Sequence, residues 1–212
     1  MKPLSPIALQ DLELDPGCSL ALVIAFSPVS QNSPGRDVTE LAALRSILAK
    51  IAACPEQALR LARTEHGKPY LEGSDAIRFN VSHAKSHSLI AISRSETIGC
   101  DIEDRITADD ATKLSPLVLH PTELETLNRL PMQERQDAFR QYWVRKEAVL
   151  KASGSGFLDD PRRVVAGLDN ARAAWSPGDG PRFHLHNRWI EAGCVAAVAG
   201  HDAACHWRAF AI

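Results

Sequence analysis

The sequence predicts an α+β fold, and two features of the amino-acid pattern support this prediction. Helical periodicity appears over residues 36–53 and again over residues 135–153, and short apolar runs with the character of strands lie between and after them. The second feature is a weak internal repeat. Residues 83–93 and residues 188–200 each begin with polar residues and continue with small apolar residues in the pattern of a strand. The repeat permits two similar α+β halves that are divided near residue 106.

The individual elements follow from local patterns taken in chain order. The first helix is predicted from one apolar stripe, which consists of Leu41, Leu44, Ile47, Leu48 and Ile51. The second predicted helix has Pro and Thr at its start, as is common at a helix N-terminus. The predicted helices cover residues 36–53, 121–130 and 135–153. The predicted strands cover residues 18–26, 79–83, 88–93, 96–104, 162–168, 182–186, 188–200 and 206–212.

The composition is that of a soluble globular protein. The 212 residues are 45% hydrophobic and 24% charged, and this length is sufficient to bury a substantial core. The net charge of -2 provides no broad basic field for nucleic acid, and no run approaches the roughly 18 apolar residues of a membrane span. Five dispersed cysteines without a CxxC pair indicate reduced thiols, so we expect a cytoplasmic protein.

A pair of acidic residues lies at the end of the strand predicted over residues 96–104. Because side chains alternate along a strand, Asp101 and Glu103 should share one face, and Ile102 should point to the other. Two neighbouring carboxylates repel each other unless a cation lies between them, and Mg²⁺ is commonly held by one or two carboxylates together with substrate phosphates. The alternative is a strand end that reaches solvent, where acidic residues are common.

The last predicted helix contains a charged pair. Glu147 and Lys151 are four residues apart and therefore lie on one face of the helix, four and eight residues after Trp143. An exposed ion pair would explain this spacing equally well and would contribute little to stability. We expect Trp143 to pack and to orient the helix.

Two further motifs precede the acidic strand. Pro69 fixes the backbone after Lys68, so that Lys68 should project from a stiff turn towards a phosphate, although an ordinary turn explains the same residues. Ser82 and His83 are adjacent in a predicted strand and therefore face opposite ways, which argues against a Ser-His nucleophile. His83 is then a structural residue or one that contacts a ligand phosphate.

Taken together, the motifs resemble those of the 4'-phosphopantetheinyl transferase superfamily, specifically its larger, surfactin-synthetase-activating type. They occur in order as GKP at 67–69, FNVSH at 79–83, GCDIE at 99–103 and WVRKEAVLK at 143–151, within a matching segment of roughly 36–157. The resemblance implies a pseudo-dimer of two similar α+β halves, residues 1–105 and 106–212, with coenzyme A in the cleft between them. It also implies transfer of phosphopantetheine from coenzyme A to a serine of an apo carrier protein, with release of adenosine 3',5'-bisphosphate.

The resemblance also assigns roles to individual residues. Mg²⁺, or Mn²⁺, would be held by Asp101, Glu103 and Glu147; Glu147 is also the candidate base, and Lys151 would meet the charge of the leaving phosphate. Residues implied to bind coenzyme A are Arg36, Arg45, Arg63, Lys68, Pro69, Ser82, His83, Asp101 and Lys151. Arg36 best matches the basic residue at the start of the first helix, and Arg45 is the second choice. Glu123 matches an acidic position without an assigned role, and Lys85 and His87 lie near the mouth of the expected cleft.

Two other functions remain possible at this point. One is a Mg²⁺-dependent coenzyme A pyrophosphohydrolase, and the other is an inactive module that binds coenzyme A or a carrier protein. For the transferase, residues 113–121 could face the acyl or peptidyl carrier, although a core helix explains the same residues. We expect a monomer that binds neither nucleic acid nor membrane, and the carrier's pathway (fatty acid, polyketide or nonribosomal peptide synthesis) stays open.

Overall fold

The fold is known from a computed structural model, which describes most of the chain. The described residues are 3–26, 35–65, 67–74, 76–95, 97–154, 159–168, 172–175, 182–191 and 193–211. Within them, the side chains of residues 35, 36, 172, 174 and 175 lie outside the description. Helices and strands are mixed along the chain, so the predicted α+β class is confirmed.

The first sheet has five strands and carries a long helix on one face. Its strands, in spatial order, are β1 (Pro6–Ile7), β12 (Ala204–Phe210), β2 (Cys18–Ala25), β6 (His87–Ser93) and β5 (Arg78–His83). Helix α1 (Gly35–Ala52) buries four of the five residues of the predicted apolar stripe, and Ile47 and Leu48 pack with Leu22 of β2. The exception is Leu41, which is 51% exposed. A separate short hairpin, β3 (Leu61–Arg63) and β4 (Pro69–Leu71), follows α1.

The second sheet also has five strands and a long helix. Its strands, in spatial order, are β7 (Ile98–Glu103), β11 (Cys194–Gly200), β10 (Phe183–Glu191), β9 (Arg172–Trp175) and β8 (Val164–Val165). Helix α4 (Met132–Ser153) covers this sheet, and it is preceded by α2 (Ala108–Val118) and α3 (Pro121–Arg129). Within the described part of the chain, no helix is both long and apolar enough to cross a membrane.

The two sheets pack against each other through small apolar side chains. Cys100 and Ile102 of β7 lie in one core cluster with Leu89 and Ala91 of β6, and all four are almost fully buried. Because these β7 residues face the first sheet, the intervening Asp101 is turned towards α4. The alternation predicted for Asp101 and Ile102 is therefore confirmed, and it brings Asp101 to the interface of strand and helix.

The strands that the sequence did not predict are short. Strands β1, β3, β4 and β9 have two to four residues each, which is too few for alternation to be visible. The segments 182–186 and 188–200, predicted as separate strands, instead form one long hairpin, because residues 183–191 are continuous in β10. The hairpin turns at Gly193, whose φ of 80° is a conformation that favours glycine.

Gly99 allows β7 and α4 to approach each other closely. A Cβ atom at this position would lie 2.1 Å from the carbonyl oxygen of Ala148 and 2.3 Å from the amide nitrogen of Ala152. We expect Gly99→Ala to lower the free energy of unfolding by about 1–3 kcal/mol or more, because backbone must move to relieve the overlap. Urea titration would measure this loss. Gly17→Ala is the matched control, since a Cβ there meets nothing within 4 Å and only its positive φ disfavours alanine.

Asp202, in the turn between β11 and β12, binds three serine hydroxyls of β2 and the end of β6. Its carboxylate accepts hydrogen bonds from the hydroxyl groups of Ser19 at 2.7 Å, Ser93 at 2.5 Å and Ser95. Burial by itself would raise the pKa of Asp202, but the hydroxyl hydrogen bonds outweigh burial, so that its pKa is below the usual value. The ionised form is therefore the one that stabilises the fold.

The pKa of Asp202 is lower in the folded protein than in the unfolded chain, so its carboxylate stabilises the fold at pH values above the unfolded pKa. This contribution is lost as the pH falls through the folded pKa. We expect Asp202→Asn to be less stable than the wild type at pH 7 by about 1–3 kcal/mol, because one buried acceptor is lost. The difference in the free energy of unfolding between the two proteins should narrow below about pH 4, near the unfolded pKa of an aspartate. Urea midpoints from pH 3 to pH 7 measure it, and a constant difference over that range would contradict the assignment to this carboxylate.

Candidate active site

Three side chains from three elements meet at the centre of the candidate site. Asp101 Oδ1, on β7, accepts hydrogen bonds from Ser82 Oγ of β5 at 2.8 Å and from Lys151 Nζ of α4 at 2.7 Å. Lys151 Nζ also donates to Ser82 Oγ at 3.1 Å. Three of the four motifs found in the sequence, FNVSH, GCDIE and WVRKEAVLK, therefore converge on one hydrogen-bonded cluster.

Glu147 lies one helical turn before Lys151 and is 8% exposed. Burial and, to a lesser extent, the negative charge of Asp101 raise the pKa of Glu147 to about 7, although the charge of Lys151 opposes both effects. A carboxyl group with such a pKa is divided between its two protonation states near neutral pH. It can therefore accept a proton and release it again at that pH, which is what a general base requires.

Lys151 remains a cation in this environment. Burial alone would lower the pKa of Lys151, but the charge of Asp101 and its hydrogen bond outweigh burial, so the pKa is raised. Its ammonium group is thus a fixed positive charge beside two carboxylates. Such a charge can stabilise an oxyanion that develops nearby.

Glu103, the third predicted metal ligand, is turned towards the loop that follows β7. Its Oε1 accepts hydrogen bonds from the backbone N–H groups of Asp104 at 2.8 Å and Arg105 at 2.6 Å. Among the side chains that the structure describes, no three His, Cys, Asp or Glu residues are arranged as a metal-binding group. Asp101 and Glu147 nevertheless supply hard carboxylate oxygens that repel each other, and this donor set fits a divalent cation such as Mg²⁺.

Lys68 binds backbone carbonyl groups. Its Nζ donates to the carbonyl oxygen of Lys151 at 2.6 Å and to that of Ile98 at 3.0 Å. Burial lowers the pKa of Lys68 to about 8. The lysine of the GKP motif therefore contacts the end of α4 and the start of β7, next to the cluster around Asp101.

A groove of about 490 Å³ lies between α1 and the strands β3 to β6. Three residues predicted to bind coenzyme A line it: Arg63, Pro69 and His83. The imidazole Nδ1 of His83 lies 2.9 Å from Oε1 of Glu40, and Arg63 Nη1 donates to the carbonyl oxygen of Gly67 at 2.8 Å. The groove thus combines apolar walls with the side chains of Arg63, His83 and two acidic residues, Asp37 and Glu40. Apolar walls with a few polar groups are typical of a small-molecule site.

Of the two arginines predicted on the first helix, Arg45 does not line this groove. Arg45 Nη2 donates to the carbonyl oxygens of Glu56 at 2.5 Å and Leu59 at 3.5 Å, so it holds the chain that follows α1. Arg36 belongs to the first turn of α1, but its side chain lies outside the described residues. Its contact with a cofactor stays a prediction.

Glu123 has a structural environment that the sequence did not disclose. Its carboxylate pairs with Lys146 Nζ at 2.7 Å, and both side chains are almost completely buried, at 3% and 1% exposure. Glu123 also accepts hydrogen bonds from the backbone N–H groups of Ala166 at 2.7 Å and Gly167 at 3.0 Å. The pair therefore joins α3, α4 and the segment around β8.

Sequence reasoning did not identify two acidic residues near the site. Glu40 contacts His83, and Asp104 accepts hydrogen bonds from the backbone N–H groups of Lys85 at 3.0 Å and Ser86 at 3.2 Å. Asp104 thus fixes the turn between β5 and β6 at the end of β7. Its position directly after GCDIE was the only signal available, while nothing in the local sequence of Glu40 distinguishes it from a surface residue of a helix.

Several known proteins are similar to this chain in sequence. The chain is 30% identical over 165 residues to the 4'-phosphopantetheinyl transferase HetI of Nostoc sp. (strain PCC 7120), which covers 74% of this chain and 66% of that relative. A Synechocystis protein whose name assigns the same activity is 31% identical over 70% of this chain and 61% of its own length. A 4'-phosphopantetheinyl transferase of Bacillus subtilis is 30% identical over 53% of this chain and 49% of its own length. The matched segments therefore span about two thirds or less of these relatives.

A family model extends the agreement to the C-terminal strands. The model described as the 4'-phosphopantetheinyl transferase superfamily matches residues 97–209, which is more than half of the chain. This range begins just before β7 and includes the acidic strand, the catalytic-site helix α4 and almost all of β12. The protein therefore belongs to the 4'-phosphopantetheinyl transferase superfamily.

Proposed function

We propose that this protein transfers the 4'-phosphopantetheine group of coenzyme A to a serine of an apo carrier protein and releases adenosine 3',5'-bisphosphate. The observation that carries the proposal is the cluster of Asp101, Glu147 and Lys151, supported by Ser82. It combines carboxylates, a group that can exchange a proton at neutral pH and a fixed cation. Phosphoryl transfer requires these components.

We also propose that the fold is a pseudo-dimer of the larger, surfactin-synthetase-activating type. In the first unit, β2 is followed by α1, the β3–β4 hairpin and the β5–β6 pair, and β2 pairs with β6. In the second unit, β7 is followed by α4, the β8–β9 hairpin and the β10–β11 pair, and β7 pairs with β11. This order supports a division between Ser93 and Ile98, ahead of β7, in place of the one between residues 105 and 106.

Coenzyme A is proposed to bind along the groove at α1 and to reach the cluster around Asp101, in the region between the two units. Arg63, Pro69 and His83 line the groove, and Ser82 links it to Asp101 and Lys151. The apolar walls would receive the adenine, and the side chains of Arg63 and His83 would receive phosphates. Arg36 at the first turn of α1 is a further proposed phosphate contact, because a helix start favours an anion.

The carboxylates of Asp101 and Glu147, with Glu103 nearby, would hold Mg²⁺, and Mn²⁺ has the same preference for oxygen ligands. When bound, the cation would neutralise the pyrophosphate charge as a Lewis acid. Lys151 would have to give up part of its contact with Asp101 to admit the cation. Glu103 would likewise have to release the backbone N–H groups of the following loop.

The proposed transfer is a nucleophilic substitution at phosphorus. The carrier's serine oxygen forms a bond to the phosphorus that bears the pantetheine arm, and the bond from that phosphorus to the bridging pyrophosphate oxygen breaks. The serine proton passes to Glu147, directly or through a water molecule. The electron pair stays on the leaving adenosine 3',5'-bisphosphate, whose new negative charge the ammonium of Lys151 stabilises.

The carrier protein is proposed to approach near α2. The segment predicted to face it, residues 113–121, forms the second half of this helix and the link to α3. Leu117 is 64% exposed there, whereas Val118 is buried in the helical core, so only one face of the segment is accessible. We propose that the protein works in the cytoplasm, because the transferred group passes between two soluble partners. We also propose that it is a monomer.

The direct test is mass spectrometry of several apo acyl and peptidyl carrier proteins incubated with the protein, coenzyme A and Mg²⁺. We expect the carrier to gain about 340 Da, the size of a phosphopantetheine group joined by metal-assisted phosphoryl transfer. EDTA should abolish the gain, and excess Mg²⁺ or Mn²⁺ should restore it. Consumption of coenzyme A without carrier modification would instead identify a pyrophosphohydrolase, and binding without either reaction would identify an inactive module.

A further inference from the structure

The end of α4 is held by donors from outside the helix. An α-helix leaves its last carbonyl groups without partners inside the helix, and they need donors from elsewhere. Here the carbonyl oxygen of Lys151 accepts from Lys68 Nζ at 2.6 Å, and that of Ala152 accepts from the hydroxyl of Thr97. The helix then ends at Gly154, whose φ of 79° is a left-handed C-cap.

Lys68 also holds the beginning of the acidic strand. The same ammonium group donates to the carbonyl oxygen of Ile98, the first residue of β7, at 3.0 Å. One partly buried ammonium group thus connects the GKP turn, the strand that carries Asp101 and the helix that carries Lys151. A positive charge at a helix C-terminus is favourable because the carbonyl dipoles point towards it, and hydrogen bonds from charged donors are stronger than neutral ones.

This connection bears directly on the reacting groups. The residue whose carbonyl group Lys68 holds, Lys151, is the residue whose side chain binds Asp101 and Ser82. Strand β7 and helix α4 are also in close contact near Lys151, since there is no space for a Cβ atom on Gly99 beside the carbonyl oxygen of Ala148. A small shift of the last turn of α4 would therefore move the ammonium of Lys151 away from Asp101.

We propose that Lys68 is a positioning residue, which fixes the last turn of α4 against β7 and thereby places Lys151 for the transfer. This proposal rests on the proposed function, and it differs from the role that the sequence predicts for Lys68, a contact with a phosphate of coenzyme A. The two roles have different kinetic consequences. A positioning residue affects kcat through Lys151, whereas a phosphate contact affects the affinity for coenzyme A.

The kinetic test compares Lys68→Met and Lys68→Arg with the wild type and with Lys50→Met, an exposed lysine in the last turn of α1. We expect Lys68→Met to lower kcat about tenfold, as for one charge-assisted hydrogen bond, and to leave the Kd of coenzyme A unchanged. Lys68→Arg keeps the cation and should recover part of the rate. A raised Kd with unchanged kcat would overturn the proposal in favour of the phosphate contact.

A double-mutant cycle tests whether Lys68 acts through Lys151. In a Lys151→Ala background, Lys68→Met should change the residual kcat by less than about twofold, because the group that it positions is already absent. An undiminished tenfold effect in that background would contradict the proposed coupling.

Hydrogen–deuterium exchange of the last turn of α4 provides a readout that needs no transferase activity. We expect Lys68→Met to accelerate exchange of these amides about tenfold while exchange in the first turns of α4 is unchanged, since only the end of the helix loses a partner. Unchanged exchange would overturn the proposal whatever the activity. If the wild type modified no carrier, the proposed function would fail, and the exchange rates alone would decide whether Lys68 holds the helix end.

Discussion

Glu147→Gln is expected to reduce carrier modification by about 10²–10⁴-fold, the usual contribution of a general base. Glutamine has nearly the same shape as glutamate, but it can neither accept the serine proton nor supply a charged ligand to a cation. Single-turnover mass spectrometry with coenzyme A and an apo carrier would measure the rate. A variant that transferred at the wild-type rate would show that Glu147 is neither the base nor a required ligand.

The fold of this variant should remain intact. In the metal-free protein, ionised Glu147 is buried beside the like charge of Asp101, and the neutral amide removes that repulsion. The thermal midpoint in EDTA should therefore not fall below that of the wild type, which separates a loss of chemistry from a loss of folding. Glu134→Gln, at an exposed position in the first turn of the same helix, is the matched control and should change neither quantity.

The sequence predicts the long elements of this fold better than the short ones. Helices α1 and α4 span 18 and 22 residues, so that their patterns extend over several turns and can be recognised without tertiary contacts. Strands such as β3 and β4 have three residues each, and they exist because the hairpin packs beside β5. The pairing of β12 with β2, which joins the last strand to the first sheet, depends on contacts between distant parts of the chain.

At the site, the residue types are predictable but several of their partners are not. Asp101, Glu147 and Lys151 are recognisable from the spacing of their motifs, and the structure brings them together as that spacing suggests. Lys68, in contrast, binds carbonyl groups of β7 and α4 that come together only after the strand and the helix have packed. Glu103 binds the backbone N–H groups of the two residues that follow it, a conformation that its motif does not disclose. A motif identifies chemically suitable side chains, whereas their conformations follow from the surrounding fold.

The first lysine of the KExxxK motif, Lys146, has a structural role that also could not be seen in the motif. It faces away from the cluster and donates to the carbonyl oxygens of Pro161 and Val164 as well as to Glu123. Burial lowers the pKa of Lys146, and the charge of Glu123 opposes this effect. The motif thus combines a residue that is buried in an ion pair within the fold with two residues of the candidate active site.

Lys146→Met is expected to lower the free energy of unfolding by about 3–5 kcal/mol, since it leaves the buried carboxylate of Glu123 without its counter-charge. Guanidinium titration would measure the loss. Lys113→Met is the matched control, because Lys113 forms an exposed pair with Asp109 in which both side chains are 70% exposed. That substitution should cost less than about 0.5 kcal/mol.

The double variant Glu123→Gln/Lys146→Met should recover part of the loss of Lys146→Met. Its glutamine carbonyl can still accept from the backbone N–H groups of Ala166 and Gly167, and no unpaired charge stays buried. Equal stability of the single and double variants would mean that lost packing of the lysine, and not the uncompensated carboxylate, causes the destabilisation. The Lys146→Met protein that remains folded should still bind coenzyme A, because Lys146 contacts neither the groove nor the cluster around Asp101.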